Sequence, residues 1–530
     1  MTSALRKEWL TLTEAQRAAF LARVRPGVTP EDYRLIADLT HALPEILALL
    51  EQTPMTIGKL RHLVFGPKTE QTQRVCPRAA PPAPAPPASQ PKRQGHGRNP
   101  ARDYTGARWV HTAHPQLQPG TRCPQCAKGA VRPQPAPAIA LRIVGAPPIS
   151  ATGYTMERLR CDTCGQVFTA PTPPAAGSQK YAPSVGVTVA LLRYGSGMPH
   201  YRLARLQKSL GVPLPEATQW ETLQPLAQHA QPILDELILQ AAQSPLLHHD
   251  DTNMRILDLR RPGRAPAVPM DPKRKGTFTT NILAYVPDHP VALYFTGWQH
   301  AGENLTALLR HRDAEVGPPI QMCDALSRNR CPEFQTLLAH CLSHGRREFV
   351  SVAENFPEPC RHVLESLGEV YRVDAQAKAL ALSPAQRLAQ HQTQSQPVMD
   401  QLHIWLQEQI ERQHVEPNSG LGQAIGYLLR HWEPLTLFLR QAGAPLDNNV
   451  CERALKMAIL HRKNSLSYKT LNGARTGDLF MSLIHTCRLN GVNPFAYLTA
   501  IAEHPDAVKL LPKTWLPWNY PRSPTGSPKV

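Results

Sequence analysis

No run of this 530-residue chain is apolar enough for a membrane span, and its opening MTSALRKEWLTLTEAQ lacks the apolar stretch of a secretory signal. Neither a membrane-embedded nor an exported protein is expected, and a cytoplasmic, nucleoid-associated location is. Acid is scarce relative to base: 41 Asp and Glu against 58 Lys and Arg leave a net charge of +17. A chain this basic meets a polyanion, most often nucleic acid when there is no membrane span, although charge alone leaves DNA, RNA and anionic lipid open. The eleven cysteines lack framework spacing; four fall in two CxxC pairs and the rest are scattered, which suits a reducing compartment. The length exceeds what one hydrophobic core supports, so roughly three to five domains are expected.

Residues 1–75 read as a helical N-terminal region. Leu43, Ile46, Leu47 and Leu50 form an apolar stripe that continues to Leu60 and Leu63. It suits a bundle helix or a short coiled coil, with Pro44 and Pro54 interrupting any long zipper. Residues 76–110 combine repeated Ala and Pro with KRQGHGRNPAR, a composition that builds no core and predicts a basic tether. Residues 111–170 hold both CxxC pairs. Residues 171–242 are predicted helical and DNA-binding. There PHYRLARLQKSLGVPLPEATQW has the form of a helix-turn-helix turning at Ser209-Leu210-Gly211, a form that helical hairpins without DNA share, and a further helix covers 226–242.

The period then changes. LLHHDDTNMRIL, TFTTNILAYV and VALYFTGW are predicted strands, HAGENLTALLRHR a helix and GPPIQMCD a short strand, while FQTLLAHCL fits a fifth strand or a helix end. Three neighbouring strands, a helix and a fourth strand begin a ribonuclease-H-like layer. The predicted fold is therefore multidomain α+β, with a mixed sheet of that type in 243–344. A helical insertion follows over 345–446, then a catalytic helix and C-terminal helices over 447–505 and a Pro-rich tail over 506–530.

Three acids stand out in this frame. Asp250 lies where an apolar strand meets polar residues, and Asp324 holds the corresponding place after Ile320-Gln321-Met322-Cys323. Alone, each reads more readily as a turn residue or cap. If the two strands are adjacent, the carboxylates meet and repel unless a cation or a shared proton neutralises them. Glu452 sits in the second turn of a helix capped by Asp447, bordering the apolar Leu455 and Ile459; by itself it reads as a solvated partner of Lys456. Three such carboxylates suit a pair of Mg²⁺ or Mn²⁺ ions that cut and rejoin phosphodiester bonds. His461, Arg462 and Lys463, just after that helix, and His344, Arg346 and Arg347 are candidates to hold the phosphate backbone of DNA.

The pairs Cys123-Pro-Gln-Cys126 and Cys161-Asp-Thr-Cys164 each place two thiolates on one tetrahedral ion, and Gly165 allows the tight turn after the second. Four thiolates leave no position for water, so the expected site is a structural Zn²⁺ that a small module needs to fold. A redox dithiol would call for a thioredoxin-like unit, and none surrounds these pairs.

Motifs along nearly the whole chain resemble those of bacterial insertion-sequence-66 family transposases. LRHLVFGPKTE (60–70) is similar to the family's LxxxLFGxxSE, the two CxxC pairs to its zinc-binding region, and PHYRLARL (199–206) to its PLYR stretch. LHHDDT resembles LHxDET, CLSHGRREF (341–349) resembles CWAHARRxF, and LDNNVCERALK resembles xxNNxxERxLR. RKN (462–464), NGVNPFAYL (490–498) and LPWNY (516–520) also match. The resemblance implies D,D,E chemistry with Asp250, Asp324 and Glu452, cleavage at terminal inverted repeats, joining of 3′ ends to target DNA, a homodimer or larger complex on the DNA, and small accessory proteins encoded by the element. Asp251 stands where the family has Glu, Ala325-Leu326 replace Gly-Tyr, and Lys456 replaces Arg. Two other readings share part of this equipment. A ribonuclease-H-like metal nuclease would need the acids without the DNA-end-binding front, and a non-catalytic DNA-binding protein would use that front alone.

Overall fold

The computed structural model describes residues 14–34, 36–38, 40, 71–76, 104, 107, 110–134, 138–260, 274, 276–286 and 289–520. The leucine stripe from Leu43 to Leu63, the segment 60–70, nearly all of the Ala/Pro-rich tether and the last ten residues lie outside them. The protein is α+β and divides into two compact units. One comprises Met1–Arg78, Met322–Ala325 and Leu338–Asn449; the other comprises Ala79–Gln321, Leu326–Leu337 and Val450–Val530.

The second unit carries a two-stranded hairpin, β1 (Arg158–Arg160) and β2 (Val167–Thr169), and most of a five-stranded sheet. The sheet strands are β3 (Leu246–Asn253), β4 (Phe278–Val286), β5 (His289–Gly297), β6 (Ile320–Cys323) and β7 (Leu337–His340), ordered β5-β4-β3-β6-β7. The strands β3, β4 and β5 form an antiparallel meander. By contrast, Leu337 N donates to Pro319 O and Cys341 N to Cys323 O, a constant offset that makes β7 parallel to β6. The sheet is mixed, and 337–340 is strand rather than helix end.

Burial explains why these segments are strands. Thr279 through Ala284 on β4 are buried without a break, the pattern of a strand covered on both faces. Helices Glu216–Ala242 and Ala301–Leu309 cover one face, Asn449–Ser465 covers the other, and Leu471–Leu489 runs along the outer edge at β5. The first of these is longer than its sequence suggests: the turn after Leu210 leads into a single 27-residue helix that runs through Pro225 and Pro232. Leu223, Leu226, Ala230, Ile233, Leu237 and Ala241, all buried, line its inner side at helical spacing and outweigh the proline interruptions. Pro512–Trp515 forms a short 3-10 turn, with Trp515 and Leu516 buried and Tyr497 Oη donating to Trp515 O at 2.6 Å.

Strand β5 ends the sheet, and its outward N–H groups need partners. Three polar side chains at i, i+4 and i+8 of the Leu471–Leu489 helix supply them: Asp478 Oδ2 accepts from Thr296 N (2.6 Å), Ser482 Oγ from Tyr294 N (2.9 Å) and Thr486 Oγ1 from Ala292 N (3.1 Å).

Apart from its share of β6 and β7, the regular structure of the first unit is helical in the described residues. Pro357–Ala379 buries Cys360, Val363, Leu364, Leu367, Val370 and Val373, Gln396–Glu411 buries Met399, Leu402 and Leu406, and Gly420–Arg430 buries Leu421, Ala424, Ile425 and Leu428. This helical insertion includes one buried acid. Burial disfavours the charge of Asp374, but His391, Lys378 and Arg387 outweigh it and hold the carboxyl well below its ordinary range.

Asp478 gives a pH test. Burial raises its carboxyl to about 7 against the bonds from Thr296. A carboxyl with a raised folded pKa favours folding below its unfolded value and loses that contribution as pH rises through the folded one. The stability of the protein relative to Asp478→Asn is expected to fall as pH rises from about 4 to about 7 and then level off. Parallel denaturation curves across this range, with no change in the difference, would show that the acid is not buried in neutral form.

Candidate active site

Asp250 and Asp251 are successive residues of β3 and point to opposite faces of the sheet. Asp250 pairs across the ladder with Asn281, which pairs in turn with Tyr294, so these three side chains share the face covered by Asn449–Ser465. That helix is tied to this face at three points. Asn281 Oδ1 accepts from Cys451 Sγ at 3.4 Å, Tyr294 Oη donates to Ala454 O at 2.7 Å, and Arg462 Nη1 donates to Thr252 Oγ1 at 2.8 Å and Asn253 O at 2.6 Å. Thr252 is two residues beyond Asp250 on the same face. Glu452 follows directly on Cys451, so the first turn carrying it is seated on the residue opposite Asp250. Both acids are half-buried.

Asp251 has a different role. Its side chain is 2% exposed and receives His300 Nδ1 (3.1 Å), Ala301 N (3.4 Å) and Arg328 Nη2 (3.2 Å). It anchors the start of the Ala301–Leu309 helix, while its own N–H donates to Asp250 Oδ1 at 2.8 Å. Glu303 accepts from His300 N at 2.8 Å and is paired with Arg274, whose guanidinium holds it below the usual carboxylate range. His300-x-x-Glu303 has the spacing of a capping box, a signal of this helix start that the sequence carried.

Behind β6, buried Gln321 Nε2 lies 2.9 Å from His249 Nε2 and 2.7 Å from Asn329 O, and Gln321 Oε1 accepts from Thr336 at 2.8 Å. Burial, then the neighbouring His248, lowers His249 to about 3, so its ring is neutral. The loop 327–330 packs on Gly302: a Cβ there would stand 2.6 Å from Arg328 O and 2.9 Å from the Asn329 carbonyl carbon.

Asp324 belongs to the first unit, immediately after β6. Helix Gly420–Arg430 brings Tyr427 near it: burial, then the charge of Asp324, pushes that phenol above its ordinary value. Asp447 Oδ1 accepts from Asn449 N at 3.1 Å, the expected cap, although the helix opens at Asn449 instead of Asn448. His344, Arg346 and Arg347 are half-buried on Leu342–Val352, with Arg346 Nη2 3.4 Å from Thr72 Oγ1.

His461 requires a correction. The helix runs on to Ser465, so His461 lies inside it, buried between Tyr194 and Tyr468 at ring distances of 5.9 and 4.7 Å. Burial, aided by nearby Arg193, lowers it to about 3; a neutral buried ring holds no phosphate. Arg462 is engaged by β3, and Lys463 is exposed.

Each CxxC pair forms its own turn. Ala127 N donates to Cys123 O and Cys123 N to Gly129 O; Gly165 N donates to Cys161 O and Cys161 N to Gln166 O, with Gly165 at φ 76°. Backbone N–H groups of Gly129 and Lys128 lower the Cys126 thiol, and those of Cys164 and Thr163 bring Cys161 to about 7. Among the described residues the two pairs are not gathered into one four-sulfur cluster.

The sequence pattern described as Transposase IS66 family matches residues 179–476, more than half of the chain and including all three acids. The chain belongs to this transposase family. Relatives of this IS66-family protein include two from Sinorhizobium fredii, both described as uncharacterized. Protein y4jD is 27% identical over 438 residues, 77% of this chain and 80% of the relative. Protein y4hP is 27% identical over 392 residues, 68% and 67% of the respective chains. No solved structure matches. Among the described residues, no helix is long and apolar enough to cross a membrane.

Gly302→Ala is expected to push the 327–330 loop off the Ala301–Leu309 helix and destabilise the protein by about 1–3 kcal/mol, typical of overpacking. A denaturant midpoint equal to that of the unsubstituted protein would mean that the loop is not held by this close approach.

Proposed function

We propose that this transposase cuts DNA at the ends of its element and joins the 3′ ends to target DNA, with Asp250, Asp324 and Glu452 as the acids that hold paired Mg²⁺ or Mn²⁺ ions. The observation that carries the reading is the seating of the Glu452 helix on the sheet face of Asp250, through Asn281, Tyr294 and Thr252. Carboxylate oxygens are the ligands hard divalent cations prefer, and half-buried acids on one face are stabilised by such a charge. When bound, the ions would lower the pKa of an attacking water or 3′-hydroxyl and neutralise the leaving oxygen.

The protein's own residues do the positioning. The Asp251 N–H orients Asp250, while Cys451 and Ala454 seat the turn that carries Glu452. Asp324 is assigned on its motif, at the end of a strand that neighbours β3. The sheet supports a ribonuclease-H-like layer: an antiparallel meander of three strands, then two strands on the far side of β3 in mutually parallel register. His344, Arg346, Arg347, Arg462 and Lys463 are proposed phosphate contacts, with Arg462 also serving to anchor its helix. The cysteines are proposed to hold a structural Zn²⁺, which would draw the two separate pairs onto one ion; backbone N–H groups already favour the thiolate at Cys126 and Cys161, the form a metal requires. Paired element ends suit a dimer or larger assembly.

The test is strand transfer with a duplex carrying the inverted repeat that flanks the coding region. Mg²⁺- or Mn²⁺-dependent joining is expected, and Asp250→Asn, Asp324→Asn or Glu452→Gln should each abolish it while DNA affinity stays within about threefold, since phosphate contacts carry the affinity. Binding without cleavage under either metal would favour the non-catalytic reading, and cutting of branched DNA without joining would favour the nuclease. Separately, the purified protein should carry about one zinc per chain, lost on Cys161→Ser with a fall in thermal midpoint. Metal analysis finding no zinc in the folded protein would reject that site.

A further inference from the structure

The loop after β6 is held more firmly than a connection needs. Asn329 O is bound by buried Gln321, the backbone of 328–330 lies against Gly302, and the Arg328 guanidinium sits 5.9 Å from the centre of the Phe278 ring with Nη2 3.2 Å from Asp251. Yet the Arg328 side chain remains 44% exposed while its partner Asp251 is 2% exposed. A guanidinium has five N–H donors, and one is engaged by Asp251, so the fork is oriented without being covered. Asp251 is the neighbour in sequence of Asp250 and binds it through the backbone.

We infer that Arg328 is a DNA-backbone contact on the Asp251 face of the sheet, oriented by Asp251 and Phe278 so that its remaining donors meet a phosphate of bound DNA. This rests on the function proposed above and adds a residue that the motifs do not mark. A phosphate suits the fork because it offers paired acceptor oxygens and a full charge. A pre-oriented guanidinium loses less side-chain freedom on binding than the mobile cations of an open surface.

A phosphate contact leaves a signature that an internal ion pair does not. Each one adds about 0.9 to the slope of log affinity against log salt for duplex DNA. Affinity for a labelled duplex of arbitrary sequence is measured with chelator present, from about 50 to about 300 mM salt, so that catalysis plays no part. Arg328→Gln is expected to reduce the slope by about 0.9 and weaken binding several-fold at low salt, and Arg328→Lys to restore the slope without full affinity. Because Arg328→Gln strands the buried Asp251, the double substitution Asp251→Asn and Arg328→Gln is measured beside it and should show the same reduced slope. An unchanged slope in a folded variant, even with a lowered thermal midpoint, would overturn the inference and leave Arg328 as a structural partner of Asp251. Failure of strand transfer by the unsubstituted protein would reject the proposed function without altering the slope result.

Discussion

An edge strand buried under a helix must have its outward N–H groups satisfied by that helix, and this requirement organises the second unit. Asp478, Ser482 and Thr486 meet the backbone of Thr296, Tyr294 and Ala292 in turn. Spacing of four along the helix against two along the strand permits one register: a shift by a turn leaves a buried donor unpaired, at about 1–3 kcal/mol. With Leu471–Leu489 fixed, the preceding helix has little freedom of placement. Its bonds to Asn281, Tyr294 and Thr252 then seat the turn that bears Glu452 against the row of side chains that includes Asp250.

The two adjacent acids of β3 show how a strand divides labour. Alternation sends Asp250 toward the Glu452 helix and Asp251 toward His300, Ala301 and Arg328. The buried carboxylate on the far side is met by the His300 ring, the Ala301 N–H and the Arg328 guanidinium. Its neighbour faces the side where a second carboxylate stands, the arrangement that invites a divalent cation. On the proposed function, the two adjacent acids serve structure and chemistry separately because they lie on opposite faces of one sheet.

Much of this was legible in the chain. Strands β3 to β6 were visible from apolar runs bounded by turn residues, and the helix after β5 from its periodicity. The motif around Glu452 marked a helix with its Asp447 cap. What escaped was decided by tertiary contacts. The second helix of the PHYRLARLQKSLGVPLPEATQW stretch and the helix 226–242 read as separate, but the buried stripe from Leu223 to Ala241 carries one helix through Pro225. His461 looked like part of a cationic cluster because HRKN is polar; only the helix extending to Ser465 turns it between Tyr194 and Tyr468. The 327–330 loop gave no signal, since its packing depends on a glycine 26 to 28 positions earlier, next to the cap of another element.

The central claim is that Asp250 and Glu452 ligate the same metal. Loading the protein with Fe²⁺ in place of Mg²⁺ and adding ascorbate and peroxide generates radicals that cut the backbone beside the bound ion. Fragment mapping should find cuts next to both residues, with Asp250→Asn suppressing the cut at Glu452 as well as its own. Cuts confined elsewhere, or a cut at Glu452 that survives loss of Asp250, would contradict the shared site.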